Sequence, residues 1–441
     1  MILVDDNIRD VGGHFFELAT LLLNGAEEMG FKNVMATHAT FDESNVAPPS
    51  WQIKPTFQTR RMVRWSLGVD GDSKLRRDLE GRPIGGSSWQ RLYTRLKDRA
   101  VPPHKRPQRM LNQWSSDLCK LLTEVRANSS DSLLVNTGDD FAMLALADAM
   151  KRLNLGSMRI DILFHFALYE PAQPDRDHRL REIGKQLRSA FKALQPHRVH
   201  LHATTDSLAE QLRKTECGSR VTSIPYPTRQ RSVKDKSDHA PIKAVLAGLP
   251  RAEKGRGAIA DLLEGVETSL LKTQRFQISM QMPEDRWRQM VPKSLHRNYE
   301  QAISGKTDVP LEVMTSNLST RDYHDWLDTA DLGLFLYDPD RYVARCSGVL
   351  LEMLARGVPV IVPDGCWLAD QVRLAGGHRS IGFIYQDRAE IPDLMRQFAK
   401  WRGEIQARSI SYAQAIRLRH NGTNTLKRMG IEAVDESLRA A

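Results

Sequence analysis

The chain has 441 residues, a formal net charge of +9, 41% hydrophobic and 27% charged residues, and four cysteines. This length suits two domains of roughly 200 residues each, and no run approaches the ~18 apolar residues that a membrane-spanning helix needs. The cysteines lack CxxC spacing, and the opening MILVDDN lacks the basic start and cleavage site of a signal peptide. We therefore expect a cytoplasmic two-domain protein without a metal site.

The first half of the chain alternates strand and helix patterns. Ile2-Leu3-Val4 predicts a strand, which a Gly-Gly turn joins to an amphipathic helix from Phe15 to Met29. The apolar runs SLLVNT, RIDILFHF and RVHLHATT follow, with helical patterns between them. This order predicts an N-terminal domain over residues 1–228, built on a parallel sheet with helices on both faces.

A basic segment interrupts this alternation between about residues 51 and 110. From Lys54 to Arg109 it contains fifteen Lys and Arg against five Asp and Glu. Aromatic side chains are interleaved with these charges: Trp51, Trp65, Trp89 and Tyr93. The pattern fits a solvated insertion or contact with an anionic membrane, and fits a nucleic-acid backbone less well. Membrane contact would make the protein peripheral on the inner face of the membrane.

A second alternation follows a polar stretch. Residues 229–240 (RQRSVKDKSDHA) lack large apolar side chains and predict an inter-domain linker. Residues 241–391 contain IKAVLAGL, FQISMQ, LEVMTS, DLGLFLY, VPVIVP and IGFIY, which predict a second domain with a doubly wound sheet. Residues 392–441 predict helices that pack back toward the N-terminal domain. The expected fold is α/β, with two Rossmann-like domains facing each other across a cleft.

The loop GLPRAEKGRG, directly after the first strand of the second half, is a candidate diphosphate site. Its glycines, including Gly248, allow the backbone to approach a ligand closely. Arg251 and Lys254 lie three residues apart, and their charges can neutralise a leaving diphosphate without a metal ion.

The segment CSGVLLE is a candidate nucleotide contact. A turn at Ser347-Gly348 opens a helix that begins near Val349, and the first N–H groups and dipole of a helix attract phosphate. Glu352 is expected in the first turn, where its carboxylate can accept two ribose hydroxyls. The alternative interpretation is that Glu352 caps its own helix.

These two segments together resemble the donor domain of the retaining GT-B glycosyltransferases, which include glycogen synthase-like and sucrose synthase-like enzymes. The family pattern appears here as Gly248, Arg251, Lys254-Gly255 and Y…SGVLLEMLARGVPVIVP, and the similarity covers most of residues 240–375. The resemblance implies transfer of a sugar, with retention, from a nucleotide-sugar of UDP or GDP type to a glycan or lipid-linked acceptor. It implies no further cofactor and no metal.

One position departs from this family pattern. Members usually carry two glutamates separated by seven residues; Glu352 matches the second, and Ala344 occupies the first. Arg345, Asp338 or Asp340 could supply the missing contact to the sugar. The departure leaves two alternatives open, a non-catalytic sugar- or nucleic-acid-binding relative of the same fold and a sugar-nucleotide epimerase.

The first domain offers candidates for the acceptor side. VGGHFFELATLLLNGAEEMG resembles the Gly-Gly loop and helix of the family, in which Gly12, Gly13 and His14 would approach a ligand. His165 resembles the family's strand-end histidine, which bonds a sugar hydroxyl or steadies the transition state; a core role is the alternative. Other polar residues are less specific or are interpreted as structural: Asp139, Asp140, His200, His202 and Asp206.

Overall fold

The computed structural model describes residues 1–11, 13–42, 44, 50–60, 106–153, 155–171, 173–231, 233, 241–282, 284, 287–307, 309–316 and 318–432. These residues form two compact units, one comprising 1–227 with 421–441 and the other 228–420. Gly12 and most of the predicted basic segment, positions 61–105, lie outside the described residues.

The first unit is built on a seven-stranded parallel sheet of order β3-β2-β1-β4-β5-β6-β7. Its strands are β1 (Ile2–Val4), β2 (Val34–His38), β3 (Gln52–Phe57), β4 (Ser132–Val135), β5 (Arg159–Phe164), β6 (Arg198–Ala203) and β7 (Val221–Ser223). Every residue of β1 is buried, as expected for a central parallel strand that is covered on both faces.

Helices of the first unit cover this sheet. They are α1 (His14–Glu28), α2 (Arg106–Glu124), α3 (Asp140–Arg152), α4 (Arg176–Ala193), α5 (Asp206–Arg213) and, from the C-terminal end of the chain, α13 (Gly422–Arg428). Helix α1 buries Leu18, Leu22 and Ala26, which lie one turn apart on the same face. This face and the last helix, α13, belong to one apolar cluster.

Helices α1 and α13 pack with almost no space between their backbones. A Cβ atom on Gly25 would lie 2.4 Å from the backbone of Gly422, and one on Gly422 would lie 2.0 Å from the carbonyl oxygen of Leu21. Only glycine fits at either position. Helix α13 is therefore an integral part of the first unit.

The second unit contains a six-stranded parallel sheet of order β10-β9-β8-β11-β12-β13. The strands are β8 (Ile242–Leu246), β9 (Phe276–Gln281), β10 (Leu311–Met314), β11 (Leu332–Leu334), β12 (Val360–Pro363) and β13 (Gly382–Tyr385). The helices are α6 (Ile259–Val266), α7 (His296–Ile303), α8 (Thr320–Leu327), α9 (Pro339–Tyr342), α10 (Gly348–Ala355), α11 (Trp367–Leu374) and α12 (Ile391–Arg419).

The two parallel sheets confirm the predicted α/β class. The structure divides the predicted C-terminal segment 392–441 at His420, because α12 packs on α10 and β13 of the second unit while α13 packs on α1. The predicted insertion of 51–110 overlaps regular structure at both ends, since β3 is the edge strand beside β2 and α2 begins at Arg106. No helix in the described ranges is long and apolar enough to cross a bilayer.

Candidate functional site

A small pocket lies at the carboxyl ends of three neighbouring strands of the second unit. Its lining includes Gly248 after β8, Gln281 at the end of β9, and Leu336 and Tyr337 after β11. Ligands of open parallel sheets bind at this edge. The pocket is therefore placed where the sequence predicts a nucleotide site.

Lys254 reaches back over this pocket from the loop that follows β8. Gly248 has a φ of +90°, and a Cβ atom there would lie only 2.6 Å from the Lys254 Nζ atom. Glycine at 248 thus provides both the left-handed backbone of the turn and the space for the ammonium group. Two residues of the predicted diphosphate loop thus lie next to each other in space.

The electrostatic environment of Lys254 suits an anion. Burial is the main reason that the pKa of Lys254 lies below its usual value, and the charge of Arg251 lowers it further, while Glu352 acts in the opposite direction. The ammonium lies 5.6 Å from the ring centroid of Tyr337. The structure places no carboxylate in salt-bridge contact with Lys254 among the residues that it describes. An anionic ligand would relieve part of the desolvation cost.

Helix α10 begins at Gly348, directly after Ser347. The Ser347 Oγ atom accepts a hydrogen bond of 3.2 Å from the backbone N–H of Leu350, so Ser347 is the N-cap. The first N–H groups of a helix have no partner within it, and this cap satisfies one of them. The backbone N–H groups of Gly348 and Val349 can still donate hydrogen bonds to a phosphate.

The expected position of Glu352 in the first turn of this helix is wrong. Because α10 starts at Gly348, Glu352 is its fifth residue, and its first turn contains no acidic residue. The capping alternative is also removed, since Ser347 caps the helix. The Glu352 Oε2 atom instead accepts a hydrogen bond of 3.1 Å from the hydroxyl of Tyr323 on α8.

Two tyrosines and two arginines lie in this region. Tyr337 and Tyr342 pack at a centroid distance of 4.6 Å, and the Arg345 guanidinium lies 5.5 Å from the Tyr342 ring centroid. Burial raises the pKa of Tyr337, and the nearby Ser347 hydroxyl lowers it by a smaller amount. No hydrogen bond of normal geometry joins the two hydroxyls. Arg251 is exposed and lies 3.9 Å from Glu253.

The three substitutes that the sequence suggests for the missing glutamate differ in their surroundings. Ala344 itself is completely buried. Asp338 caps the short helix α9 by accepting from the N–H of Asp340, whose own side chain is exposed. Arg345 packs on Tyr342. Asp340 is thus the carboxylate among them that solvent reaches most freely.

Strand ends of the first unit hold a second group of polar residues. The buried Asp5 carboxylate, after β1, accepts hydrogen bonds of 2.8–3.0 Å from Asn7, Asn136 and Thr137. His165 follows β5 and is 7% exposed; its Nε2–H donates to the Asn136 carbonyl oxygen at 2.5 Å. This places His165 at the strand end, as the sequence indicates, in a packed and hydrogen-bonded position.

The other first-unit candidates occupy helix starts or the sheet interior. Gly13, with a φ of +89°, precedes α1, and His14 is exposed at its first turn. Asp139 caps α3 by accepting from Ala142 N at 2.7 Å. Burial and, secondarily, the charge of Asp139 raise the pKa of Asp140. His202 donates to buried Asp161 at 2.8 Å, which gives it a structural partner.

Sequence reasoning missed Tyr323, Tyr337 and Arg356. Tyr337 stands at the end of the run LFLY and could have been noticed as a strand-end residue. Tyr323 contacts the Glu352 carboxylate, and Arg356 contacts the Glu352 backbone carbonyl oxygen. Neither residue lies in a recognisable sequence motif. No group of three or more His, Cys, Asp or Glu side chains is arranged to hold a metal ion within the described ranges.

Comparison with solved structures identifies the fold. A sucrose-phosphate synthase from Thermosynechococcus elongatus superposes with a TM-score of 0.61 at 12% identity, covering 97% of this chain and 96% of the other. A UDP-forming α,α-trehalose-phosphate synthase from Burkholderia xenovorans gives 0.57 at 13% identity, covering 98% and 99%. HepE from Anabaena, solved in complex with UDP, gives 0.54 at 11% identity and full coverage of both chains.

These similarities extend over the whole chain and establish the GT-B fold that the sequence predicts. No protein-family model matches the chain, and no curated protein is similar to it in sequence. At 11–13% identity the neighbours define the fold, and the activity of this chain has to be argued from its own residues.

Proposed function

We propose that this protein is a nucleotide-sugar-dependent glycosyltransferase whose donor site lies in the second unit. The observation that carries the proposal is the juxtaposition of the Lys254 ammonium, the Gly248 turn and the Tyr337 side chain in one strand-end pocket. Glu352 and the exposed Arg251 are near enough to influence the pKa of Lys254. A diphosphate and a ribose need these groups: cations, free N–H groups and a carboxylate.

In this proposal each group has a defined role. Lys254, assisted by Arg251, neutralises the diphosphate as the bond between the sugar C1 atom and the phosphate oxygen breaks. The N–H groups of Gly348 and Val349 bind a phosphate oxygen, and Glu352 accepts ribose hydroxyls. The acceptor oxygen forms the new bond to C1, and its proton passes to the leaving phosphate oxygen. Protein cations supply the charge neutralisation, so the transfer is proposed to be metal-independent. It is also proposed to be retaining, as in the family that the sequence resembles.

The donor and acceptor are proposed by class. A uridine nucleotide is the first candidate, because two of the structural neighbours are described as UDP-forming or as bound to UDP; a GDP-type donor is the second. The acceptor is a glycan or a lipid-linked saccharide. His165 stays a candidate for the acceptor side, at the end of β5 in the first unit.

One observation favours a second function, nucleotide binding without transfer. The position that usually holds the sugar-side glutamate is Ala344, which is completely buried. A chain that keeps the diphosphate and ribose contacts but lacks the sugar contact would bind a nucleotide-sugar and fail to transfer it.

The first test is binding. We would measure the thermal stability of the wild type with UDP, GDP, ADP, CMP and dTDP, with and without Mg²⁺, and repeat it with Lys254→Ala and Glu352→Gln. A ligand at a hundred times its Kd adds about 2.7 kcal/mol of stability. We expect one nucleotide diphosphate to stabilise the wild type without Mg²⁺ and to have a much weaker effect on both variants. If no nucleotide stabilises the wild type, the proposal fails.

The second test separates transfer from binding alone. The wild type is incubated with the sugar-linked form of the nucleotide that binds, together with simple glycan acceptors, and release of the nucleotide is followed. Release that depends on Lys254 supports the glycosyltransferase. Tight binding with neither transfer to an acceptor nor slow hydrolysis of the nucleotide-sugar by water favours the non-catalytic alternative.

A further inference from the structure

The Glu352 carboxylate is held on one side. Its Oε2 atom accepts the Tyr323 hydroxyl at 3.1 Å, and the structure records no second side-chain partner for this carboxylate within the described ranges. Burial and, secondarily, the charge of Glu352 raise the pKa of Tyr323 well above its ordinary value. The hydroxyl therefore stays protonated and remains a donor at physiological pH.

The backbone of Glu352 is held at a second level. Arg356, the C-cap residue directly after α10, is 2% exposed and donates from Nη1 to the Glu352 carbonyl oxygen at 2.9 Å. The same guanidinium donates from Nε to Asp328 at 2.7 Å, and its Nη2 donates to Nδ1 of His324 at 2.9 Å. Asp328 also accepts from Arg231 at 3.0 Å.

These contacts join α10 to α8 in two places, once through the Glu352 side chain and once through its backbone and Arg356. Tyr323 and His324 belong to α8, and Asp328 directly follows it. The side chain and the backbone of Glu352 are thus both fixed against the same neighbouring helix. A structural role alone would explain the buried ion pair between Arg356 and Asp328. A tyrosine hydroxyl in a buried setting usually needs a hydrogen-bond partner in any case, and the feature specific to Tyr323 is that its partner is the half-buried carboxylate proposed to bind ribose.

We infer that Tyr323 is a positioning residue: its hydroxyl occupies Oε2 of Glu352 and turns Oε1 toward the ribose hydroxyls of the nucleotide. The inference rests on the proposed function, since it assigns a role in the same donor site. A carboxylate that is already oriented loses less conformational freedom when the ligand binds. Tyr323 should therefore affect affinity only through the ribose hydroxyls that Glu352 accepts.

The test is a double comparison of protein and ligand. The Kd values of the wild type and Tyr323→Phe are measured for the diphosphate that binds and for its 2′,3′-dideoxy form. We expect Tyr323→Phe to weaken the ribonucleotide by about tenfold and the dideoxynucleotide by less than about twofold. Glu352→Gln should show the same selectivity for the ribose form. For each variant the quantity compared is the ratio of its two Kd values, one for the ribonucleotide and one for the dideoxynucleotide. Lower stability of a variant affects both values equally and leaves this ratio unchanged.

Tyr299→Phe is the matched control. Tyr299 is completely buried in the same unit, stacks on Trp287 at a centroid distance of 4.2 Å, and its hydroxyl has no hydrogen-bond partner among the described residues. Its loss should leave both Kd values unchanged.

The possible failures are distinct. If the wild type binds no nucleotide, the proposed function falls and this inference falls with it. If Glu352→Gln is selective for the ribose but Tyr323→Phe binds both ligands normally, the donor site stands and the positioning role is overturned. Equal weakening of both ligands by Tyr323→Phe also overturns it, because that result means a general disturbance of the pocket.

Discussion

The strand ends of the first unit and those of the second unit present their polar groups in different ways. In the first unit the Asp5 carboxylate accepts hydrogen bonds from Asn7, Asn136 and Thr137, and it is completely buried. In the second unit Lys254 borders a pocket, and the structure gives its Nζ atom no hydrogen bond or ion pair among the described residues. We therefore assign the first group to the stability of the fold and, under the proposed function, the second group to ligand binding.

The largest expected effect tests the first half of this comparison. Asp5→Asn keeps the size of the side chain but removes its charge and turns an NH₂ group toward at least one donor. Hydrogen bonds to charged groups contribute about 1.5–3 kcal/mol each, so we expect the first unit to lose about 3 kcal/mol of stability. Denaturant unfolding of the wild type and the variant measures the loss. Nucleotide affinity should stay the same, and a large change in Kd would contradict the division of roles.

Lys254→Met should have the opposite pattern. Removal of the charge should weaken nucleotide diphosphate binding by about 2 kcal/mol, which is roughly 30-fold. Stability without ligand should be equal to or higher than that of the wild type, because burial already disfavours the ammonium. Calorimetric titration and thermal unfolding measure the two quantities. Lys272→Met is the control, since Lys272 is exposed and pairs with Glu267 at 3.2 Å.

A result in which Lys254→Met lowers stability and leaves the nucleotide Kd unchanged would assign Lys254 to the fold. The contrast with Asp5 would then disappear, and with it the main support for the donor site.

The sequence predicted the central part of each sheet better than the edges. Central parallel strands such as β1 and β12 are continuous apolar runs, which are recognisable without any contact information. Edge strand β3 contains Lys54 and Pro55 and exposes two of its six residues, and β7 (VTS) has only one apolar residue. Neither has a pattern that separates it from a loop, because pairing with a neighbour defines it.

The candidate site was predictable only where its residues are close in sequence. Gly248 and Lys254 are six residues apart, and Ser347 and Gly348 are adjacent, so loop and helix rules indicate both pairs. Tyr323 is separated from Glu352 by 29 positions and meets it through the packing of α8 on α10. Nothing in local spacing encodes such a contact. The predicted position of Glu352 in the helix was wrong by about one residue, enough to move it out of the first turn, because the sequence does not determine the first residue of the helix.

Gly248→Ala removes the space beside the Lys254 ammonium without changing any charge. The new Cβ atom would lie 2.6 Å from the Lys254 Nζ atom, so the ammonium must move, and we expect about tenfold weaker nucleotide binding. The φ of +90° adds strain of about 1–2 kcal/mol. Gly305→Ala is the matched control, since Gly305 has a φ of +86° with open space around it. Both variants should lose similar stability, and only Gly248→Ala should lose affinity; equal Kd values in the two would mean that Lys254 does not depend on this space.

The smallest effect near neutral pH is the titration of Lys254 itself. Because burial lowers the pKa of this ammonium and a bound diphosphate favours its charged form, the contribution of Lys254 to the affinity should be constant below that lowered pKa. It should fall as the pH rises through the lowered pKa of the free protein. Burial raises the pKa values of Tyr323, Tyr337 and Tyr342, so these hydroxyls do not lose their protons in the same range.

Lys254→Arg separates this titration from others. A guanidinium stays protonated across the accessible range, so its nucleotide affinity should change little between pH 7 and about pH 10, even if the absolute Kd is weaker. Calorimetric titrations at several pH values compare the two proteins. Parallel losses of affinity in the wild type and Lys254→Arg would show that another group titrates. In that case Lys254 would not be the cation that holds the diphosphate, and the exposed Arg251 would become the residue to examine.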